Sequence, residues 1–324
     1  MSSFTRLAAA LTFVFIANGS CSADDFYPTH PIRLVVPFVP GGAVDLVGRL
    51  AAQYLTDELG QQVFVDNRSG AGGAVGSAFV ANAPADGYTL VLQSVSSAVI
   101  NGLVYRKLPF DPRNGFAPIA EIAESPTLLV IDADLPAATL QEFIALAKQN
   151  PGKFNFGSTG AGGSVHLAGV LFEAKTGTTL VHIPFHGAGP AVAALVAGET
   201  QMEIGSVSAF LPFIRAGKLR ALCVNSEQRI ELLPDVPTAE QAGLPGYILP
   251  DWYGMFAPRG TPAAVVARLE HAISKIVAKP QMRQRLADLA MSPVSKSSAE
   301  FATFWNGQFD FWTPIVKAAG VTLD

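Results

Sequence analysis

The sequence predicts an α/β protein of two lobes, with a cleft between them as the candidate binding site. Three observations predict it. The chain has 324 residues, enough for two domains. Strand-like runs alternate with helix-periodic stretches, and the alternation restarts halfway along. A strand, a glycine-rich turn and a helix start recur once in each half. With 49% apolar and 15% charged residues, the composition is that of packed cores and not of a disordered chain. The net charge is −4, and no run of Lys and Arg forms the basic stripe that nucleic acid or an anionic membrane requires.

The elements follow in order. Ile32–Phe38 is a β-branched strand leading into Pro40-Gly41-Gly42. Val44, Val47, Leu50, Ala51, Tyr54 and Leu55 then fall at helical spacing up to Gly60. Val63–Val65 is a strand, Gly70–Gly73 opens a helix, and Thr89–Gln93 is a third strand. Alternation of this kind calls for a parallel sheet with crossover helices. After Pro126 the pattern restarts: strand Thr127–Ile131, helix Thr139–Gln149 and strand Asn155–Ser158. A helix of about Ser164 to Lys175 and strands Thr179–His182, Met202–Ser206 and Arg220–Val224 complete the second half. Ser226 to Gly246 is Pro-rich and irregular, a crossing back. Thr261 is placed to cap a helix with Pro262 in its first turn. In the last helix, about Ser298 to Ala319, Phe301, Phe304, Trp305, Phe309 and Trp312 share one face, and Pro314 is expected to kink or break it. The lobes are therefore drawn as 26–124 plus 226–324, and 125–225.

Met1 to Ala23 reads as an export signal: Arg6 in the n-region, apolar Leu7 to Ala17, and small residues Ser20 to Ala23 for cleavage near Ala23. The apolar run is shorter than the roughly 20 residues that span a bilayer. A lipid-modified Cys21 is a second reading of the same segment. After cleavage Cys223 is the remaining thiol, so no intramolecular disulfide is expected; within Leu219–Val224 it reads as a core residue.

A helix N-terminus presents unpaired N–H groups and partial positive charge, and glycine before it lets a ligand approach the backbone. Val39-Pro40-Gly41-Gly42-Ala43-Val44-Asp45 and Ser158-Thr159-Gly160-Ala161-Gly162-Gly163-Ser164 are both of this type. Neither holds Lys or Arg, so an anion there would be held by N–H and hydroxyl groups. One such turn per lobe points to the space between the lobes. Asp45 has two readings, a cap on its own helix or a ligand contact. His166 is a neutral donor to the ligand or a satisfied core histidine, and Ser94, Ser96 and Ser97 are candidates to present hydroxyls to the same space.

Enzyme motifs fail. Gly70–Gly76 mimics a dinucleotide turn, but its spacing is off by one and Gln93 stands where an acid is needed. Gly162–His166 starts like a nucleophile elbow and ends in His where Gly is required. Pro184 between His182 and His186 precludes a helical metal pair. No catalytic residue, cofactor or metal is expected.

Over Tyr27 to Asp324 the sequence resembles the Bug solute receptors of the tripartite tricarboxylate transporters. The resemblance rests on Pro31–Phe38 with Pro40-Gly41-Gly42 and Asp45, Asn67-Arg68 with Gly70–Gly73, Asp86–Leu90, Leu108–Pro112, Ser164–Gly169, Ala216–Leu222, Leu233–Thr238 and Trp252–Gly254. It implies a two-lobed periplasmic-binding-protein fold of type II, with a hinge and an interlobe cleft closing on a small carboxylate. It also implies a periplasmic location and delivery to a large and a small membrane subunit. In relatives, the loops matching Val39–Asp45 and Ser158–Ser164 hold the carboxylate through backbone amides and water. Many relatives carry Lys at the position of His186 and an acid at that of Gly205, and loss of the acid suggests a ligand without an amino group. Monomer is the expected state. A module signalling to a membrane kinase is the second reading, and a hydrolase the third.

Overall fold

The computed structural model describes residues 27–249 and 251–324. The expected export signal and Cys21 lie outside the described residues. The first lobe is built on a six-stranded sheet. Its early strands are β1 (Ile32–Val36), β2 (Val63–Asn67) and β3 (Thr89–Ser94), and β1 lies parallel between the other two. Helix α1 (Ala43–Leu59) buries Val47, Ala51 and Leu55 against this sheet and stops at Gly60, whose φ of 69° suits a residue without Cβ. Helix α2 (Ala74–Ala81) and a single π-helical turn, Ser96–Ile100, followed by α3 (Asn101–Val104), occupy the ends of β2 and β3.

The chain leaves this lobe along β4 (Phe116–Ser125), turns at Pro126 and enters the second lobe as β5 (Thr127–Asp132). Helix α4 (Leu140–Gln149) starts with a full capping box between Thr139 and Glu142. There follow β6 (Asn155–Ser158), α5 (Ser164–Thr176), β7 (Val181–Pro184), α6 (Ala188–Val196), β8 (Met202–Ser206), α7 (Val207–Arg215) and β9 (Leu219–Val224). The second sheet runs β7-β6-β8-β5-β9.

The return differs from the sequence expectation. Residues 226–249 do not join the first lobe; they stay on the second. Val224 donates to Pro237 C=O, the Tyr247 hydroxyl to Ala168 C=O, and Leu249 N–H to Asn225 C=O. The chain re-enters the first lobe as β10 (Asp251–Pro258), antiparallel to both β3 and β4. The two crossings lie side by side: Asp251 pairs with Ser125, and the Thr127 hydroxyl donates to Leu249 C=O at 2.9 Å. Both sheets are consequently mixed, not parallel, because each receives strands arriving from the other lobe.

Helices α8 (Ala263–Ala278) and α9 (Pro280–Asp288), strand β11 (Ser292–Lys296) and helix α10 (Ser298–Ala319) finish the chain, giving the sheet order β11-β4-β10-β3-β1-β2. Thr261 does not cap α8: Pro262 holds the N-cap position, and the threonine hydroxyl donates to Pro258 C=O. Helix α10 runs through Pro314 without a break. The carbonyl that Pro314 leaves unpaired belongs to exposed Asp310, where water can serve it. Phe301, Trp305, Phe309 and Trp312 are buried as the periodicity predicts, and they join a core that reaches α5 and the second sheet. Cys223 is buried as a free thiol.

Candidate functional site

A cleft of about 210 Å³ opens between the lobes. The first lobe supplies Phe38, Gly72, Ser96, Asn101 and Tyr105; the second supplies Thr159 through Gly163, Phe185 and His186. Leu323 closes one side, held there by a short bridge in which Leu323 N–H donates to Val104 C=O and Arg106 N–H to Leu323 C=O.

The second-lobe wall is the loop between β6 and α5. Gly160 (φ 146°) and Gly162 (φ 75°) adopt backbone angles that only glycine reaches without strain. The loop is braced from beneath. The buried Ser158 hydroxyl donates to Gly160 C=O at 3.0 Å and lies 2.6 Å from His182 Nε2. Both bonds are made at once when His182 carries its proton on Nε2. His166 accepts the Gly162 N–H on Nδ1 at 3.0 Å, which places its own proton on Nε2. The two imidazoles stack 3.7 Å apart, and Phe156 stacks on His182. Burial lowers the pKa of both; for His182, with His166 adding to the effect, it falls to about 4. Both rings are therefore neutral at neutral pH, which the Gly162 N–H bond to His166 Nδ1 requires.

A polar contact joins the lobes beside the cleft. Ser96 donates to Ser164 Oγ at 2.9 Å and accepts the Ser164 N–H at 3.2 Å. The N-cap of α5 is Gly163, which has no side chain to offer, so a hydroxyl from the other lobe caps this helix.

The α1 side is arranged differently. Asp45, only 2% exposed, accepts from Gly41 N–H, Arg49 Nε and Asn67 Nδ2, each at 2.9 Å. Burial by itself would raise its pKa; the three donors outweigh it and hold the carboxyl below its ordinary value. Asp45 thus ties Gly41, Arg49 and Asn67 together at the start of α1. Pro40, Gly41 and Gly42 are exposed, Val39 is 56% exposed, and the cleft wall here is Phe38, the residue just before them. Ala43 and Val44 lie on α1 away from the wall.

Of the predicted residues, the structure brings Thr159, Gly160 and Gly162 to the cleft and Ser164 to its inner edge. Ser158 and His166 shape the loop and do not line the cavity. Ser94 is buried at the end of β3, its N–H held by Ser97 Oγ, and Ser96 faces the cleft in its place. Gly72, Asn101 and Tyr105 were missed. The Gly70–Gly73 run is the sequence signal for Gly72, and Asn101 Nδ2 pins it by donating to Gly72 C=O. Leu323 had no sequence signal, since its position depends on the chain end returning to α3. Gly205 does not line this cleft; a Cβ there would stand 3.0 Å from the Phe210 ring, and the residue lies at the wall of a separate inner space beside Ser164.

Among the described residues, the cleft wall contains no Asp, Glu, Lys or Arg; its polar groups are backbone amides, Ser96, Asn101, Tyr105, Thr159 and His186. Such a wall hydrogen-bonds an anion without neutralising it by a fixed cation.

The family model described as the tripartite tricarboxylate transporter family receptor matches residues 47–321. BugT of Bordetella pertussis is 34% identical over 323 residues, covering 98% of this chain and 99% of that one. Among solved structures, an R. palustris protein with adipate superposes with a TM-score of 0.86 at 32% identity, covering 91% of this chain and 99% of that one. MatC from Rhodopseudomonas palustris with bound malate gives 0.82 at 32% identity, covering 90% and 100%. The expected two-lobed α/β fold of these periplasmic binding proteins is the fold observed, and the chain belongs to the Bug-type receptor family of the tripartite tricarboxylate transporters.

Proposed function

We propose that this protein is a periplasmic receptor that captures a small carboxylate in the interlobe cleft. It passes the ligand unchanged to the large and small membrane subunits of a transporter. The observation that carries the reading is the glycine loop of the second lobe: an amide-rich wall braced by neutral histidines and facing an uncharged first-lobe wall. Relatives with adipate and malate support the ligand class. In this reading Thr159, Gly160 and Gly162 approach the ligand, and His186 is a donor at the exposed end. Val39 to Gly42 reach the ligand only through water or further closure, and Asp45, Ser158 and His166 act by holding the loops. A ligand with an ammonium group would find no carboxylate on the described wall, so the bound acid lacks an amino group.

The test is a thermal-shift titration of the full chain with mono-, di- and tricarboxylates. One acid should raise the melting temperature saturably. At a hundredfold excess over its dissociation constant, the stabilisation is about 2.7 kcal/mol. Recovery of that acid intact after incubation agrees with a receptor; its conversion overturns the reading. Native mass spectrometry that finds an amino acid bound overturns the ligand class.

A further inference from the structure

We propose that the cleft continues past the Ser96–Ser164 pair into a second subsite that receives the far end of the bound acid. That end is a neutral hydrogen-bond acceptor, taken by the Trp312 indole N–H. The proposal rests on the carboxylate reading above and adds the chemistry at the other end of the ligand.

A separate space of about 30 Å³ lies behind the cleft, walled chiefly by Val95, Val165, Ala168, Ile204, Leu249 and Trp312. Its position follows from the chain. Ser96 and Gly163 line the cleft, while their neighbours Val95 and Ser164 line the inner space. The hydrogen-bonded serine pair therefore stands at the boundary between the two. Both lobes contribute to this boundary, Ser96 from the first and Ser164 from the second.

Trp312, one wall of the inner space, carries a donor that no described residue satisfies. Trp312 is 3% exposed, and its Nε1 is buried without an acceptor. The other two tryptophans are served: Trp252 donates to Gln308 and Trp305 to Ala98 C=O. Thr127, also at this wall, is already committed, donating to Leu249 C=O and accepting from Asn225 Nδ2. Ser164 accepts from Ser96 and keeps its own proton to give. The subsite thus offers N–H and O–H donors, apolar walls and no cation among the described residues. A second carboxylate would be desolvated there without a partner, and an ammonium group would meet donors only. A carbonyl or ether oxygen suits both the donors and the walls. About 30 Å³ admits an oxygen and little more, so the body of the acid stays in the larger cleft.

The experiment compares straight-chain acids of five to seven carbons in three forms: plain, with a ketone at the penultimate carbon, and as the diacid. Binding to the full chain and to Trp312→Phe is measured by calorimetry. The indole N–H signals of the three tryptophans are followed by NMR in the unmutated protein. The expected result is a keto acid binding at least tenfold tighter than its plain partner. Trp312→Phe should reduce that advantage to within about twofold, and saturation should move the Trp312 indole signal while the other two hold still. The subsite is overturned, with the carboxylate reading intact, if plain and keto acids bind alike, if the diacid is tightest, or if the advantage survives Trp312→Phe. A Trp312 signal unmoved at keto-acid saturation overturns it even where the variant does not fold, because only a water then sits there. Failure of every carboxylate to bind overturns both readings together.

Discussion

Two buried carboxyls show how surroundings, not residue type, set the role of a side chain. Asp45 has three donors within 2.9 Å and stays ionised; its contribution is present above about pH 4 and is lost as the pH falls through its depressed pKa. Asp45→Ala should cost about 2–3 kcal/mol at pH 7, since Gly41 N–H and Asn67 lose a charged acceptor. Denaturant melts at pH 7 and pH 3 check it, and the gap between the two proteins should narrow at the lower pH. Glu203, on β8, is 1% exposed, its Oε2 is unpartnered, and burial pushes its pKa up to about 8. The folded state therefore holds a proton that the unfolded chain releases near its ordinary 4.5, and stability declines as the pH rises from about 4.5 to 8. Glu203→Gln, which needs no proton, should be more stable than the natural protein by about 1–3 kcal/mol at pH 9 and little different at pH 4. A pH series of melts that shows a constant offset would remove the burial explanation.

Among elements, the best-read segments were those whose pattern is set by local chemistry. Strand β1, helix α1 and the aromatic face of α10 were legible because β-branched runs and three- and four-residue apolar steps report burial directly. Strands β4 and β10 were not. Pro118, Glu121 and Glu124 interrupt the apolar text of β4, and Glu121 is tolerated there because Lys296 arrives from β11, 2.6 Å away. Pro314 misled for a related reason: the carbonyl it orphans belongs to exposed Asp310, where water can serve it, and the helix continues. Strand β10 carries a tighter constraint. A Cβ at Gly254 would collide with the Phe301 ring of α10, so glycine is what lets that helix lie flush on the sheet. Gly254→Ala should cost about 1–3 kcal/mol by overpacking. Equilibrium unfolding measures this, and Phe301→Leu in the same chain should restore part of the loss by making room.

For the whole molecule, function depends on how the lobes are joined. Asp251 pairs with Ser125 beside the Thr127–Leu249 hydrogen bond where the two crossings run, and one apolar cluster extends across the lobes from Phe256 and Trp305 to Leu129 and Leu167. The Ser96 hydroxyl then caps α5 from across the cleft, linking closure to the satisfaction of a helix end. Ser96→Ala removes that cap only when the lobes are together. It should weaken carboxylate binding about fivefold, the worth of roughly one hydrogen bond, with little change in unfolding of the free protein. Calorimetry reads the affinity and small-angle scattering the degree of closure. An equal loss of folding stability would make Ser96 a structural residue of its own lobe instead.

By itself the sequence determined what depends on neighbours along the chain: the fold class, the strand–glycine–helix unit in each half, and an amide-rich loop at Thr159 to Gly162 without a cation. Backbone conformation and N–H availability at a helix start are local properties, and glycine writes them plainly. Only the tertiary structure decided which hydroxyl faces the cleft, that the Gly72 turn and Leu323 line it, and that residues 226–249 remain with the second lobe. It also decided that Trp312 ends beside an inner space without an acceptor. Those outcomes arise from contacts between residues tens to hundreds of positions apart, and no spacing in the chain records them.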